Sequence, residues 1–211
     1  MRPYCCLIAL LIAWSAHANS IITVPFGLLP GDHYRLAFVT SVSFTAGSSD
    51  IATYNADVTT TADAIPALAA LGATWYAIAY TATVSAPDNI GATSSPIYDL
   101  EGNLITTGTT ALFGSALLSP IDITEQGTIF EAATWTGHGS HTMGTAFAEL
   151  GTNYHTDSTW LDNTFDRPTT LTDPLYGISS ELTASEIPEP GGLFLAGPGL
   201  LLVLLSRFRR G

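Results

Sequence analysis

The sequence predicts an α+β domain, and three observations carry that expectation. A strand, two helices and a second strand follow one another in its first half. The second half is a series of short strand-like runs separated by Gly, Asn, Thr and Ser, with no repeat of fixed period. Hydrophobic residues make up 46% and charged residues only 11%, a balance too apolar for disorder. The domain is placed at residues 19–186, a length suited to one hydrophobic core. It is flanked by a signal peptide, 1–18, and a tail, 187–211, that holds a short transmembrane helix. A β-sandwich is the competing architecture.

At the N-terminus, Arg2 supplies a weak positive start and Cys5 to Trp14 an apolar stretch. Ala16-His17-Ala18 is a small-x-small cleavage pattern, so the mature chain is expected to begin at Asn19. Both cysteines, Cys5 and Cys6, fall within the signal. The exported domain therefore has no disulfide and no thiolate chemistry. Their place at the head of the apolar stretch, instead of after it, excludes a lipoprotein attachment.

Within the domain, Gly31-Asp32 reads as a turn, and His33 to Thr40 as a strand apolar on both faces and so central. Ser48-Ser49-Asp50 caps a helix, with Ile51, Tyr54 and Val58 at helical spacing. A second helix over Ala64 to Leu71 has Pro66 in its first turn and stops at Gly72. Thr74 to Val84 is the strongest strand by aromatic and β-branched content. Beyond Pro87, the runs Ile97 to Leu100, Leu104 to Thr107, Phe130 to Thr136 and Ala146 to Leu150 are strand-like.

Charge is distributed unevenly. All six basic residues are arginines, and four of them lie in the two flanking segments. The domain keeps Arg35 and Arg167 against 17 of the 18 acids. Nucleic acids bind through Lys and Arg, so this composition excludes them as partners. It suits a hydrated extracellular setting and divalent cations.

The tail reads Ile187-Pro188-Glu189-Pro190-Gly191-Gly192, then the apolar run Leu193 to Leu205, then an end carrying Arg207, Arg209 and Arg210. Thirteen residues span about 20 Å as a helix, short of the roughly 30 Å of hydrocarbon in a bilayer. Gly197-Pro198-Gly199 interrupts the run. The arginines are expected to stay cytoplasmic, which leaves everything before Pro188 outside. The order of these parts resembles the PEP-CTERM sorting tail of Gram-negative bacteria, also called the ice-binding protein C-terminal domain. That resemblance implies recognition of Pro188, Glu189 and Pro190 by an exosortase in the inner membrane, with Arg207, Arg209 and Arg210 as the cytoplasmic anchor. An unprocessed C-terminal anchor is the alternative. Ice binding itself would need a flat, regular threonine array, and the clusters at Thr59-Thr60-Thr61, Thr106-Thr107, Thr109-Thr110 and Thr169-Thr170 are irregular.

A second resemblance rests on Trp75-Tyr76-Ala77-Ile78-Ala79, on Pro96-Ile97-Tyr98-Asp99-Leu100-Glu101-Gly102-Asn103-Leu104, and on Ala132 to Gly137 with Trp135. These segments, covering about half of the domain, resemble the C-type-lectin-like fold, and within it the endostatin-type domain of collagens. The family's disulfides and the Glu-Pro-Asn and Trp-Asn-Asp motifs of true lectins are absent. Calcium-dependent sugar binding therefore does not carry over.

Three constellations are candidates for chemistry. Gly137-His138-Gly139-Ser140-His141, with His155, has the residue types of a zinc site but no helix to hold them, which favours a solvent-facing loop. Ser140 lacks the flanking glycines of a nucleophile elbow. Asp157, Asp162, Asn163 and Asp166 around Trp160 offer hard oxygens of the kind calcium takes, on a spacing that matches no EF-hand. Asp157, Asp162 and Asp166 are the metal candidates, and calcium is the one cofactor entertained. The aromatics Tyr54, Trp75, Tyr76, Tyr80 and Trp135 could stack on sugars, but their place within strands favours a core role.

The expected function is that of an exported cell-envelope or matrix protein without catalysis. It would be cleaved by signal peptidase, held transiently in the inner membrane, sorted by an exosortase and associated with exopolysaccharide. A calcium- or carbohydrate-binding surface module is the alternative. A surface hydrolase built on His138, His141 and the Asp157 to Asp166 cluster is a further one.

Overall fold

A computed structural model describes residues 21–114 and 116–185. The expected signal peptide with Ala16 and Ala18, and the expected sorting tail with Pro188, Glu189, Pro190, Arg207, Arg209 and Arg210, lie outside the described residues. Among those described, no helix is long and apolar enough to cross a membrane.

The architecture is mixed α/β and mostly sheet. Strand β1 (His33–Val39) is followed by the short β2 (Phe44–Thr45), helices α1 (Ile51–Asp63) and α2 (Pro66–Ala69), and β3 (Trp75–Ala77). Then come α3 (Ala86–Ile90), β4 (Ile97–Tyr98), β5 (Leu104–Thr106) and α4 (Thr109–Gly114). The second half adds β6 (Ala133–Trp135), β7 (Phe147–Thr152), a 3₁₀ turn (Ser158–Trp160), β8 (Asp166–Pro168), β9 (Thr172–Asp173), β10 (Tyr176–Ser179) and β11 (Leu182–Thr183). A six-stranded sheet runs β3-β10-β1-β4-β5, with β11 on the first residues of β1. Three further strands form the sheet β6-β7-β8, and β2 pairs with β9.

β1 is central, as its sequence predicts, and every residue from Tyr34 to Val39 is buried. Successive side chains of a strand face opposite sides, and here they feed two cores. Tyr34, Leu36 and Phe38 join the cluster that holds Tyr54, Val58 and Leu68 of the first helices. Ala37 and Val39 join the cluster that holds Ile90, Leu112, Trp160 and Ile178. Phe38 meets Trp75 edge-on at 5.2 Å and lies so close over Gly177 that a Cβ there would sit 2.7 Å from its ring. Only glycine fits at that crossing. Arg35, on the same strand, is buried and donates to the carbonyls of Ser179 (2.5 Å) and Ile90 (3.0 Å).

The first helix starts at its expected cap, whereas the second, expected over Ala64 to Leu71, is confined to Pro66–Ala69. Asp50 caps α1 by accepting from the Ala52 N–H at 3.0 Å, a contact of a kind that contributes about 1 kcal/mol. α2 has Pro66 in its first turn, and the chain reverses at Gly72, φ +60°. The expected strand Thr74 to Val84 keeps ladder pairing only over Trp75–Ala77. Ile78 still donates to Tyr176 O, but Tyr80 donates to Thr136 O and Thr81 bridges Met143, so the extended chain leaves one sheet for another. Periodicity cannot register such an exchange of partners. The break expected at Pro87 is in fact the first turn of α3. Ser85 caps it, accepting from the Asp88 N–H at 3.2 Å, and Pro is tolerated there because first-turn N–H groups have no helical partner.

Candidate functional site

The sheet β6-β7-β8 brings together two loops that the sequence keeps apart. The first, Gly137–His141, leaves β6. Gly137 (φ +63°) is pressed between strands, and a Cβ on it would sit 2.5 Å from Tyr80 O and 2.7 Å from Met143 N. Its N–H donates to Glu149 O at 3.0 Å, and the Glu149 N–H donates to His141 O at 2.9 Å. The loop is thus tied at both ends to β7. The second loop, 157–165, crosses the other side of β7. There the Trp160 carbonyl lies so near Gly151 that a Cβ would stand 1.9 Å from it. Thr136 Oγ1 also donates to Leu161 O at 2.7 Å, joining the two loops.

The histidines and aspartates pair across this seam. His138 Nδ1 lies 3.3 Å from Asp162 Oδ2, and its ring meets Tyr80 edge-on at 5.0 Å. His141 Nδ1 lies 3.1 Å from Asp166 Oδ2 and 3.8 Å from Glu149 Oε1. Gly139, with φ +86°, leaves room where a Cβ would be 3.2 Å from Glu149 Oε1 and 3.3 Å from Asp162 Oδ2. Two carboxylates therefore converge on one stretch of backbone. Glu149 went unremarked in the sequence because it sits inside an apolar strand run; that placement was the available signal.

The remaining candidates separate. Asp157 caps the 3₁₀ turn through the N–H of Thr159 at 3.0 Å and binds its hydroxyl, and these hydrogen bonds hold its carboxyl below the ordinary 3.8. His155 Nδ1 contacts Thr159 Oγ1 at 2.7 Å, away from the other two histidines' partners. The three aspartates proposed for a metal thus take three different partners. Among the described residues, no group of three or more His, Cys, Asp or Glu is placed to hold a metal ion. Tyr54, Trp75 and Trp135 are core residues, while Tyr76 and Tyr80 are half-buried.

Beside this seam runs a cleft of about 550 Å³. Apolar lining comes from Leu112 and Phe113 of α4, from Trp160 of the 3₁₀ turn and from Leu161 after it, and polar lining from His138, Ser158, Asp162 and Thr164. Trp160 is 2% exposed, shielded by Tyr176 (5.6 Å) on one side and Phe113 (6.3 Å) on the other, so the accessible ring is Phe113. The geometry does not suit a Ser-His-Asp relay. Ser140 Oγ and Asp166 both approach His141 at the same nitrogen, Nδ1, whereas a relay needs them on opposite ring nitrogens.

Arg35 and Arg167 are the Lys or Arg residues within 21–185, and both are engaged: Arg35 with carbonyls, Arg167 with Asp173 at 2.6 Å. No protein-family model matches the chain, and no curated protein matches it.

Proposed function

We propose that this chain is a non-catalytic, exported cell-envelope protein that an exosortase sorts through a PEP-CTERM tail. Its domain, of C-type-lectin-like architecture, takes up neutral polysaccharide of the surrounding matrix in the cleft between α4 and the 3₁₀ turn. The observation that carries the routing is the order in the tail: Pro188-Glu189-Pro190, a short apolar run, then three arginines. The polysaccharide reading draws on Phe113 lining one cleft together with His138 and Asp162. It also draws on the lack of an unengaged Lys or Arg among the described residues, which disfavours acidic polymers.

Replacing Pro188 and Glu189 together by Ala is expected to leave an uncleaved form retained in the inner membrane. Intact mass of the protein recovered from envelope and medium reads this directly. Normal maturation of the variant would refute the sorting role. Phe113→Ala is expected to weaken retention on the host's own neutral exopolysaccharide roughly tenfold, the loss of about 1.4 kcal/mol of stacking and burial. Undiminished retention would remove the cleft from the reading. Millimolar calcium would raise the melting temperature if the Asp157 to Asp166 loop binds the ion.

A further inference from the structure

The loop that enters β1 is built to show hydrophobic side chains to solvent. Residues 21–31 (Ile-Ile-Thr-Val-Pro-Phe-Gly-Leu-Leu-Pro-Gly) contain no charge. Val24 and Leu28 pack on the core and anchor the loop. Phe26 is 100% exposed and Leu29 68% exposed. Local bonds fix the shape: the Leu29 N–H donates to Asp32 Oδ2 at 2.7 Å, and the Asp32 N–H donates back to Leu29 O at 3.0 Å. Gly27, between Pro25 and Pro30, and Gly31, just after Pro30, supply positive φ of 90° and 91°. An isolated exposed apolar residue needs no explanation, but a braced loop that presents its largest ring fully to water does.

Its position supplies one. The Gly31 N–H donates to Ala184 O at 2.9 Å and the Ala184 N–H to Asp32 O at 2.8 Å, so the loop is fastened to the point where the chain leaves the domain. Between Ser185 and the apolar run at Leu193 lie only a few residues, two of them prolines. Even fully extended, that stretch covers about 27 Å. If the apolar run enters a bilayer, the tether leaves from the end of β1 that carries Phe26 and Leu29, so that end starts nearer the lipid surface than the far end. Val42 and Leu171, also exposed, lie beyond the opposite end of β1, where Thr45 pairs with Thr172.

We propose that Phe26 and Leu29 form a membrane-interface contact that seats the exported domain on the outer face of the same bilayer its tail enters. This rests on the reading of the tail as a membrane segment. The lipid is zwitterionic. Asp32 accepts from the loop's Leu29 N–H, Glu181 pairs with His33 where the loop enters β1, and both arginines of the described chain are engaged elsewhere, so anionic headgroups would be repelled. A phenyl ring and a leucyl chain enter the headgroup–acyl boundary without cost to any polar group, since neither carries one.

The test places a tryptophan at position 26 (Phe26→Trp) in the full chain, purified from membranes of the expressing cell. The protein is reconstituted in phosphatidylcholine vesicles whose lipids are brominated near the top of the acyl chain. Trp75, Trp135 and Trp160 are at most 2% exposed, and Trp14 is common to variant and parent, so the difference in emission reports position 26 alone. Leu171→Trp marks the opposite end. Expected are flotation with the vesicles, a blue shift and loss of most of the added emission at position 26, none at position 171, and less quenching as anionic lipid is added. Flotation without quenching at position 26 overturns the contact and leaves the tail reading intact. Equal quenching at both positions overturns it too, because the domain then has no fixed seat. Failure to float removes the tail reading, and the contact with it. A blue shift that grows with protein concentration but resists bromine identifies a second copy as the occupant and overturns the lipid assignment.

Discussion

β1 and β7 are strands of similar length in the same chain, and they put burial to opposite uses. β1 buries six successive residues, five of them apolar, and its single charge, Arg35, donates through Nε and Nη1 to backbone carbonyls while Nη2 is buried without a partner. β7 is nearly as buried, yet carries Glu149 and Gly151 where a core strand would carry side chains for packing. What β1 gains from side-chain interdigitation, β7 gives up so that two loops can cross it closely. One strand holds the fold together; the other holds two loops in register. Buried position alone does not distinguish these roles, but the residue types along the strand do.

The comparison can be broken most forcefully at Phe38. Phe38→Ala removes a fully buried ring from the contact with Trp75 and Gly177, and is expected to cost about 3–5 kcal/mol in denaturant unfolding. A loss below about 1 kcal/mol would mean that β1 is not the centre of the core. Gly151→Ala comes next. Its methyl would overlap the Trp160 carbonyl, a backbone atom that cannot swing aside, and roughly 2–3 kcal/mol of destabilisation is expected. The diagnostic signature is spectroscopic as well as thermodynamic: Trp160 fluorescence should change in the still-folded variant, whereas Trp75, on β3, keeps its surroundings. An unchanged emission spectrum would show that the second loop does not depend on β7 for its position.

The smallest expected effect is in the response to pH, which sharpens the contrast between buried and capping carboxylates. Burial raises the pKa of Asp57, Asp122 and Asp173, in the last case despite Arg167. Such groups hold a proton more tightly folded than unfolded, so the stability they contribute grows as pH falls from neutral toward the carboxylate range. Asp157, bonded to Thr159, and Glu181, bonded to Ser95 and Thr93, are shifted the other way. Their stabilisation is present above the ordinary carboxylate values and is lost as pH falls below them. The melting temperature should therefore peak on the acid side of neutrality and drop below about pH 4. A maximum at alkaline pH would contradict the burial assigned to the three aspartates.

Much of the first half was legible in the sequence because its signals are local. The two-sided apolar run of β1, the Asp50 cap and the Pro66 start each act within a few residues. The candidate site was legible only in pieces. Gly137–His141 and Asp157–Asp166 stood out by composition, but nothing local states that His138 meets Asp162 or that His141 meets Asp166. Those pairings depend on the antiparallel register of β7 with β6 and β8, set by Thr134 opposite Gly151 and Glu149 opposite Asp166. β8 to β11 escaped notice for a related reason. At two to four residues each, they are too short for alternation to register.

The placement of the two arginines has a consequence for resistance to proteolysis. A trypsin-like protease cuts after lysine or arginine in an extended, accessible segment, and residues 21–185 offer it two addresses. Arg35 lies inside the central strand, 2% exposed. Arg167 precedes Pro168, a bond such enzymes do not cleave. Folded, residues 21–185 therefore present no usable tryptic bond, and their lifetime before a protease of that specificity is set by how often the central sheet opens.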